Sequence, residues 1–186
     1  MNYMIKFLQL KHWQLFALLF GTTFILQIIA FGSVAITNEP TTLVYIFPIV
    51  MIVYLALFFG WFYSMGTNFH KKLPSSVKMN LKKFKIYLTI PIIYIFLLSV
   101  FQIGMISEIA KNNSPNPAYF LFIIPIHLFS MFCIFYCMYF IAKEFKSVEV
   151  QKPVTFSDFA GEFFLLWFFP VGIWILQPRI NKIFQS

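Results

Sequence analysis

Charge is what this chain has least of: 11% of its 186 residues are charged against 60% hydrophobic, and the mean hydropathy is +0.81. So little polar surface cannot coat a water-soluble globule of this size, which excludes that class and leaves lipid to cover the rest. Cysteine is nearly absent too. Cys133 and Cys137 are the only two; they stand one helical turn apart, where a disulfide does not readily close, and no acid or histidine lies at metal-ligand spacing. That pair reads as small apolar core residues. Also missing are GxSxG, HExxH, a phosphate-binding glycine loop and paired carboxylates inside an apolar run. The sequence therefore offers no catalytic residue, metal site or cofactor site, which argues against an enzyme.

What is present is four long apolar runs, near residues 14–36, 43–63, 84–106 and 119–142. Each is close to the ~20 residues that a helix needs to cross a ~30 Å hydrocarbon core. They predict an all-α membrane protein with four transmembrane helices, and residues 1–186 as a single integral membrane domain. A net charge of +8 would suggest nucleic acid in a soluble protein. Here the lysines flank apolar runs, so no nucleic-acid partner is expected and the charge sets orientation. Of the 14 Lys and Arg, 13 fall before the first run, between the second and third, or after the fourth, and only Lys111 falls on the other side. Basic loops stay cytoplasmic, so both termini are expected there, with the loops around Glu39 and Lys111 outside. A cleaved signal peptide is the rival reading of the first run, since Ser33-Val34-Ala35 supplies small residues, but the run exceeds the roughly 7–15 apolar residues of such segments.

The central gap holds Lys71, Lys72, Lys78, Lys82, Lys83 and Lys85. After Pro74 and the capping candidate Ser75, Val77, Leu81 and Phe84 recur at helical spacing with Lys78, Lys82 and Lys85 on the other face. This predicts a basic interfacial helix, and the six lysines are the expected contacts with anionic lipid headgroups.

The two hairpins also align. NEPTTLVYIFPIV lies over PNPAYFLFIIPIH, matching Pro40 with Pro117, Ile46 with Ile123, Pro48 with Pro125 and Ile49 with Ile126. A parallel two-plus-two hairpin repeat would have this pattern, and so would chance matches between Phe- and Ile-rich helices. Pro48, Pro91 and Pro125 each lie inside a span, where a kink is expected. Gln27, Gln102 and His127 fall at similar depth in the outer half. They are expected to face the bundle interior, because exposing an unpaired amide or imidazole to lipid costs several kcal/mol. There they form either a polar site open to the outside or hydrogen-bonding glue worth ~1 kcal/mol per contact. His12 and His70 both lie at the cytoplasmic interface beside lysines; haem ligation needs two histidines at opposed depths on facing helices, and nothing in the sequence pairs these two so.

The segment 155–186 is the most distinctive: FSDFAGEFFLLWFFPVGIWILQPRINKIFQS follows Thr155. Ser157 is the expected cap of a helix with Asp158 and Glu162 in its first turns. The aromatic run from 163 to 176 is short for a span, is broken by Pro170 and Gly172, and ends at Pro178 beside the only arginine, Arg179. Crossing would place Arg179 and Lys182 outside, against the charge rule. An interfacial or re-entrant helix-turn-helix is predicted, turning at Pro170 to Gly172; a fifth span is the alternative. Such a turn brings Glu162 to Arg179. In a wet interface that pair is worth ~0.2–1 kcal/mol, so packing of Phe163, Trp167, Phe168 and Trp174 against the bundle or a neighbouring protomer is expected to outweigh it.

The string LWFFPVGIWILQPRIN resembles the ending of small bacterial integral membrane proteins that carry WFFP, an aliphatic residue, Gly, an aliphatic residue and Trp, then QP, a basic residue, an aliphatic residue and Asn. The likeness covers about the last thirty residues. It implies a bacterial inner-membrane location and points to Trp167, Phe168, Phe169, Pro170, Gly172, Trp174, Gln177, Pro178, Arg179 and Asn181. Three functional classes remain at this stage. They are a non-enzymatic component that oligomerises or docks a partner; a small channel or membrane-perturbing effector of a defence or toxin system; and a small-molecule transporter or membrane-embedded enzyme using the Gln27, Gln102 and His127 layer. The last lacks the intramembrane charge that most ion-coupled carriers need.

Overall fold

A computed structural model describes residues 5–38, 42–110 and 118–185, and every element among them is helical. Glu39, Pro40 and residues 111–117, Lys111 and Pro117 included, lie outside the described residues.

A short helix α1 (Ile5–Gln9) breaks before α2 (His12–Phe16), which runs through a π-turn at Ala17–Gly21 into α3 (Thr22–Thr37). Then follow α4 (Thr42–His70), α5 (Leu81–Ala110) and α6 (Ala118–Val150). Four stretches, His12–Thr37, Ile46–His70, Leu81–Met105 and Leu121–Val150, are long and apolar enough to cross a membrane, with mean hydropathies of 2.1 to 2.2. They coincide with the four predicted runs. Pro48, Pro91 and Pro125 all stay inside their helices. α3 stops at Asn38, whose left-handed backbone (φ 57°) lets its N–H close on the Val34 carbonyl at 2.8 Å.

The central gap departs from expectation. Residues 71–80 form turns and irregular chain instead of a helix from Ser75. Val77 N–H bonds to the Pro74 carbonyl at 2.9 Å, and α5 begins only at Leu81. Asn80 decides the start, because its Oδ1 accepts the Lys83 N–H at 3.0 Å and so satisfies an amide that has no helical partner.

The core lies at the lysine-rich end of the bundle. Trp61, Phe62 and Phe69 of α4, Phe84 of α5, and Phe140 and Ile141 of α6 are all fully buried. Phe84 stacks on Phe140 with centroids 4.6 Å apart, in space that Gly66 leaves open; a Cβ there would overlap the Phe84 ring. Cys133 and Cys137 are buried and free, as read from the sequence. Towards the opposite end the helices expose Phe24, Phe31, Phe47, Leu121 and Phe122. Lipid tails are as apolar as these side chains, so nothing drives them together, whereas water at the lysine-rich end does.

The C-terminal segment forms two helices, α7 (Phe156–Trp167) and α8 (Phe169–Gln185), and neither is among the four long apolar stretches. The helix-turn-helix is as predicted, with two corrections. Thr155, not Ser157, caps α7: its N–H and Oγ1 both donate to Asp158 Oδ2 at 2.8 Å. The chain reverses at Phe168, two residues before the expected Pro170, and the N–H groups of Val171 and Gly172 both bond to the Phe168 carbonyl. Pro170 falls in the first turn of α8, where a missing N–H costs nothing. α7 packs on α6, and α8 packs on α7 and back onto α1 and α2.

Candidate functional site

α8 presents two polar side chains one turn apart, Gln177 and Asn181, to the end of α1. A five-residue helix has almost no internal partners for its carbonyls. Gln177 Nε2 donates to the carbonyls of Phe7 (3.0 Å) and Leu10 (2.9 Å), and Asn181 Nδ2 donates to those of Leu8 (2.7 Å) and Leu10 (3.0 Å). The two polar residues of the QP-R-x-N string are thus a clamp on the N-terminal helix. Net worth is ~0.5–1.5 kcal/mol per bond. In a Gln177→Leu, Asn181→Leu double variant, the amides of α1 should exchange with deuterium at least tenfold faster while α4 to α6 keep their protection. Equal exchange in both proteins would refute the clamp.

Between these two amides, Arg179 points the other way. Its Nε and Nη2 donate to Glu149 Oε1 (2.9 Å) and Oε2 (2.7 Å), and Nη2 also donates to Glu162 Oε1 (2.6 Å). Lys146 adds its ammonium at 3.0 Å from Glu149 and 3.6 Å from Glu162. The guanidinium lies over the Phe145 ring, 4.8 Å from its centre. Hydrogen bonding to Glu149 raises the Arg179 pKa further, against the opposing effect of burial. The expected Glu162–Arg179 pair is therefore formed, but it is not a wet one: Glu162 is only 5% exposed. Glu149 and Lys146 were not anticipated as members. They come from α6 running beyond 142 to Val150, and the acids and bases interleaved over 143–149 are the signal for that run-on.

The aromatic residues of the motif are only partly covered within the protomer. Trp174 packs against His12 (4.8 Å) and Phe16 (5.6 Å), and Phe169 against Phe20 and Phe58. Trp167, Phe168 and Trp174 nonetheless stay about half exposed or more, and the buried apolar residues of the hairpin are Phe159, Leu166, Ile173, Leu176 and Ile180. The helices turn Phe159 and four aliphatic residues inward and leave both indoles and Phe168 at the rim.

His70 has a partner that the sequence reading did not name. Its Nδ1 lies 2.7 Å from Glu144 Oε1, and Glu144 is completely buried. Glu144 Oε2 and the neighbouring Ser147 Oγ, also buried, have no hydrogen-bond partner among the described residues. A lone buried carboxylate is costly, and the imidazole gives this one a hydrogen-bond partner. The signal in the sequence is spacing: Phe140, Glu144 and Ser147 continue one buried face of α6 past the apolar run.

Gln27, Gln102 and His127 are not brought together. All three are exposed on the outside of the bundle, and no hydrogen bond joins any two of them. His127 Nδ1 instead meets the Tyr94 hydroxyl at 3.1 Å across α5 and α6. The interior positions at this depth go to Ala30, Val50, Ser99 and Ser130, small residues that let helices approach, which leaves the longer side chains outside. Neither intramolecular glue nor a polar site within the protomer is formed by the three. Among the described residues, no group of three or more His, Cys, Asp or Glu is placed to hold a metal ion. Compared with known proteins, the chain matches no family model, no curated protein and no solved structure.

Proposed function

We propose that this protein is a non-enzymatic, oligomerising component of the bacterial inner membrane, with both termini in the cytoplasm. The observation that carries the reading is the exposure of Gln27, Gln102 and His127 on the membrane-facing surface. Counted from the ends of the apolar stretches at Thr37, Met105 and Leu121, Gln27 lies ten residues in, Gln102 three and His127 six. At ~1.5 Å per residue that is roughly 5–15 Å deep. An amide held there against hydrocarbon costs several kcal/mol, which a polar partner on a second copy removes.

The packing supports one partner geometry. α3 packs against α4, while α5 and α6 pack against each other and against α4, so Gln27 and the Tyr94–His127 pair stand on separate helix pairs. The α3 surface of one protomer against the α5–α6 surface of the next is a head-to-tail contact, which closes into a ring when the rotation allows. The bacterial location and the cytoplasmic termini rest on the C-terminal string and the lysine distribution.

Cysteine cross-linking in membranes tests this. A mixture of Gln27→Cys and Gln102→Cys proteins should give a cross-linked dimer that neither gives alone, and Gln27→Leu with Gln102→Leu should shift the protein to smaller species in nanodiscs. A wild-type protein that runs as a monomer in nanodiscs would sink the proposal.

A further inference from the structure

The six lysines around the central gap are not equivalent. Lys71 Nζ donates to Asn68 Oδ1 at 3.2 Å, and Lys72 Nζ to the Ile183 carbonyl at 2.6 Å, close over the Phe184 ring. Lys83 lies above two phenol rings, 5.5 Å from Tyr87 and 5.3 Å from Tyr136. Lys71 and Lys72 are held by hydrogen bonds within the fold, and the rings under Lys83 lie outside the groove at Lys85. Lys78 and Lys82 stand out from the surface. Lys85 differs from all of them, because it closes one end of a groove between α4 and α5.

That groove encloses about 480 Å³, and its lining is almost wholly apolar, with Leu55, Ala56 and Phe59 on one side and Leu88, Ile92 and Phe96 on the other. Its polar atoms gather at the lysine-rich end, where Lys85 Nζ lies 5.6 Å from the centre of the Tyr63 ring. From Lys85 to Phe96 the groove follows α5 for eleven residues, or about 16 Å at ~1.5 Å per residue. This is about half of a ~30 Å hydrocarbon core, the depth of one leaflet. An apolar channel one leaflet deep, with an ammonium and a phenol at its headgroup end, is complementary to a lipid that is anionic at one end and apolar along the rest.

We propose that this groove is a binding site for one acyl chain of an anionic phospholipid in the leaflet at the lysine-rich end, with the lipid phosphate held by Lys85. Position explains the selectivity: of the six lysines, Lys85 alone lines the slot that fits a chain. Its headgroup end, at Lys85, lies at the opposite end of the spans from Gln27, Gln102 and His127.

Native mass spectrometry of the protein released from vesicles of equal phosphatidylglycerol and phosphatidylcholine tests the site. The protein should retain one phosphatidylglycerol molecule. Lys85→Gln should lower the retained phosphatidylglycerol-to-phosphatidylcholine ratio about fivefold, while Lys82→Gln on the same helix leaves it within twofold. Ala56→Trp, at an exposed position of the groove wall, should abolish retention of either lipid; circular dichroism and gel filtration confirm that it folds. Equal effects of Lys85→Gln and Lys82→Gln would show a diffuse basic surface and overturn the proposal. Retention that survives Ala56→Trp would place the chain elsewhere and overturn it too.

Discussion

Gly172→Ala should unfold the C-terminal hairpin. A Cβ at this position would overlap the carbonyl oxygen of Leu165 and stand 2.7 Å from its carbonyl carbon. The obstacle is backbone in the facing helix, so no side-chain rotation relieves it, and α7 and α8 must separate. Inserting a methyl into a filled core costs ~1–3 kcal/mol where side chains can shift, and this site should reach ~3 kcal/mol or more. Separation also pulls Arg179 from Glu149 and Glu162, and Gln177 from α1. Gly161→Ala is the control: nothing lies within 4 Å of its added Cβ, and it sits on an exposed helix face. There alanine should be neutral or stabilise by ~0.5–1 kcal/mol through helix propensity alone. Urea unfolding in detergent micelles compares the two. Similar midpoints for both variants would show that the hairpin is not packed this closely.

Arg179→Leu should have the second large effect. It leaves Glu162, 5% exposed, without its guanidinium, and removes both bonds to Glu149. Removing one partner of a buried pair costs ~3–5 kcal/mol. The lower end applies here, because the side chains of Arg179 and Glu149 are 29% and 30% exposed and Lys146 still faces both acids. Adding Glu162→Leu should recover part of that loss, and the double-mutant cycle should give a coupling of roughly 2 kcal/mol. Trp174→Ala removes a half-exposed ring that touches His12 and Phe16, so about 1.5 kcal/mol is expected, half the usual cost of truncating a buried aromatic. Charge should therefore outrank the rim tryptophan, the reverse of what the string of aromatics implies when read without burial. If Trp174→Ala proves the more damaging of the two, the network is peripheral to stability.

The difference between those rankings shows what can be read from one dimension. A sequence contains length, local hydropathy and charge position, and crossing a membrane depends on little else. Four apolar runs were therefore sufficient to identify the four helices, and the short, broken run after Phe163 was sufficient to identify a hairpin. The same argument placed Glu162 near Arg179, because reversing a chain between an acid and a base leaves them at one end.

What only the tertiary structure decided is which face of each helix looks inward. α4, α5 and α6 are apolar all round, so no amphipathic stripe distinguishes core from lipid, and an argument from solvation cost put Gln27, Gln102 and His127 inside when small residues had taken those places. Burial of Glu144 against His70, the enclosure of Glu162, and the grip of Gln177 and Asn181 on Phe7, Leu8 and Leu10 likewise join residues far apart along the chain. Hydropathy along the chain determined how many helices cross, because water and lipid act on each segment by itself. Contacts between segments depend on shape and on polar groups finding partners, and those exist only once the helices have packed.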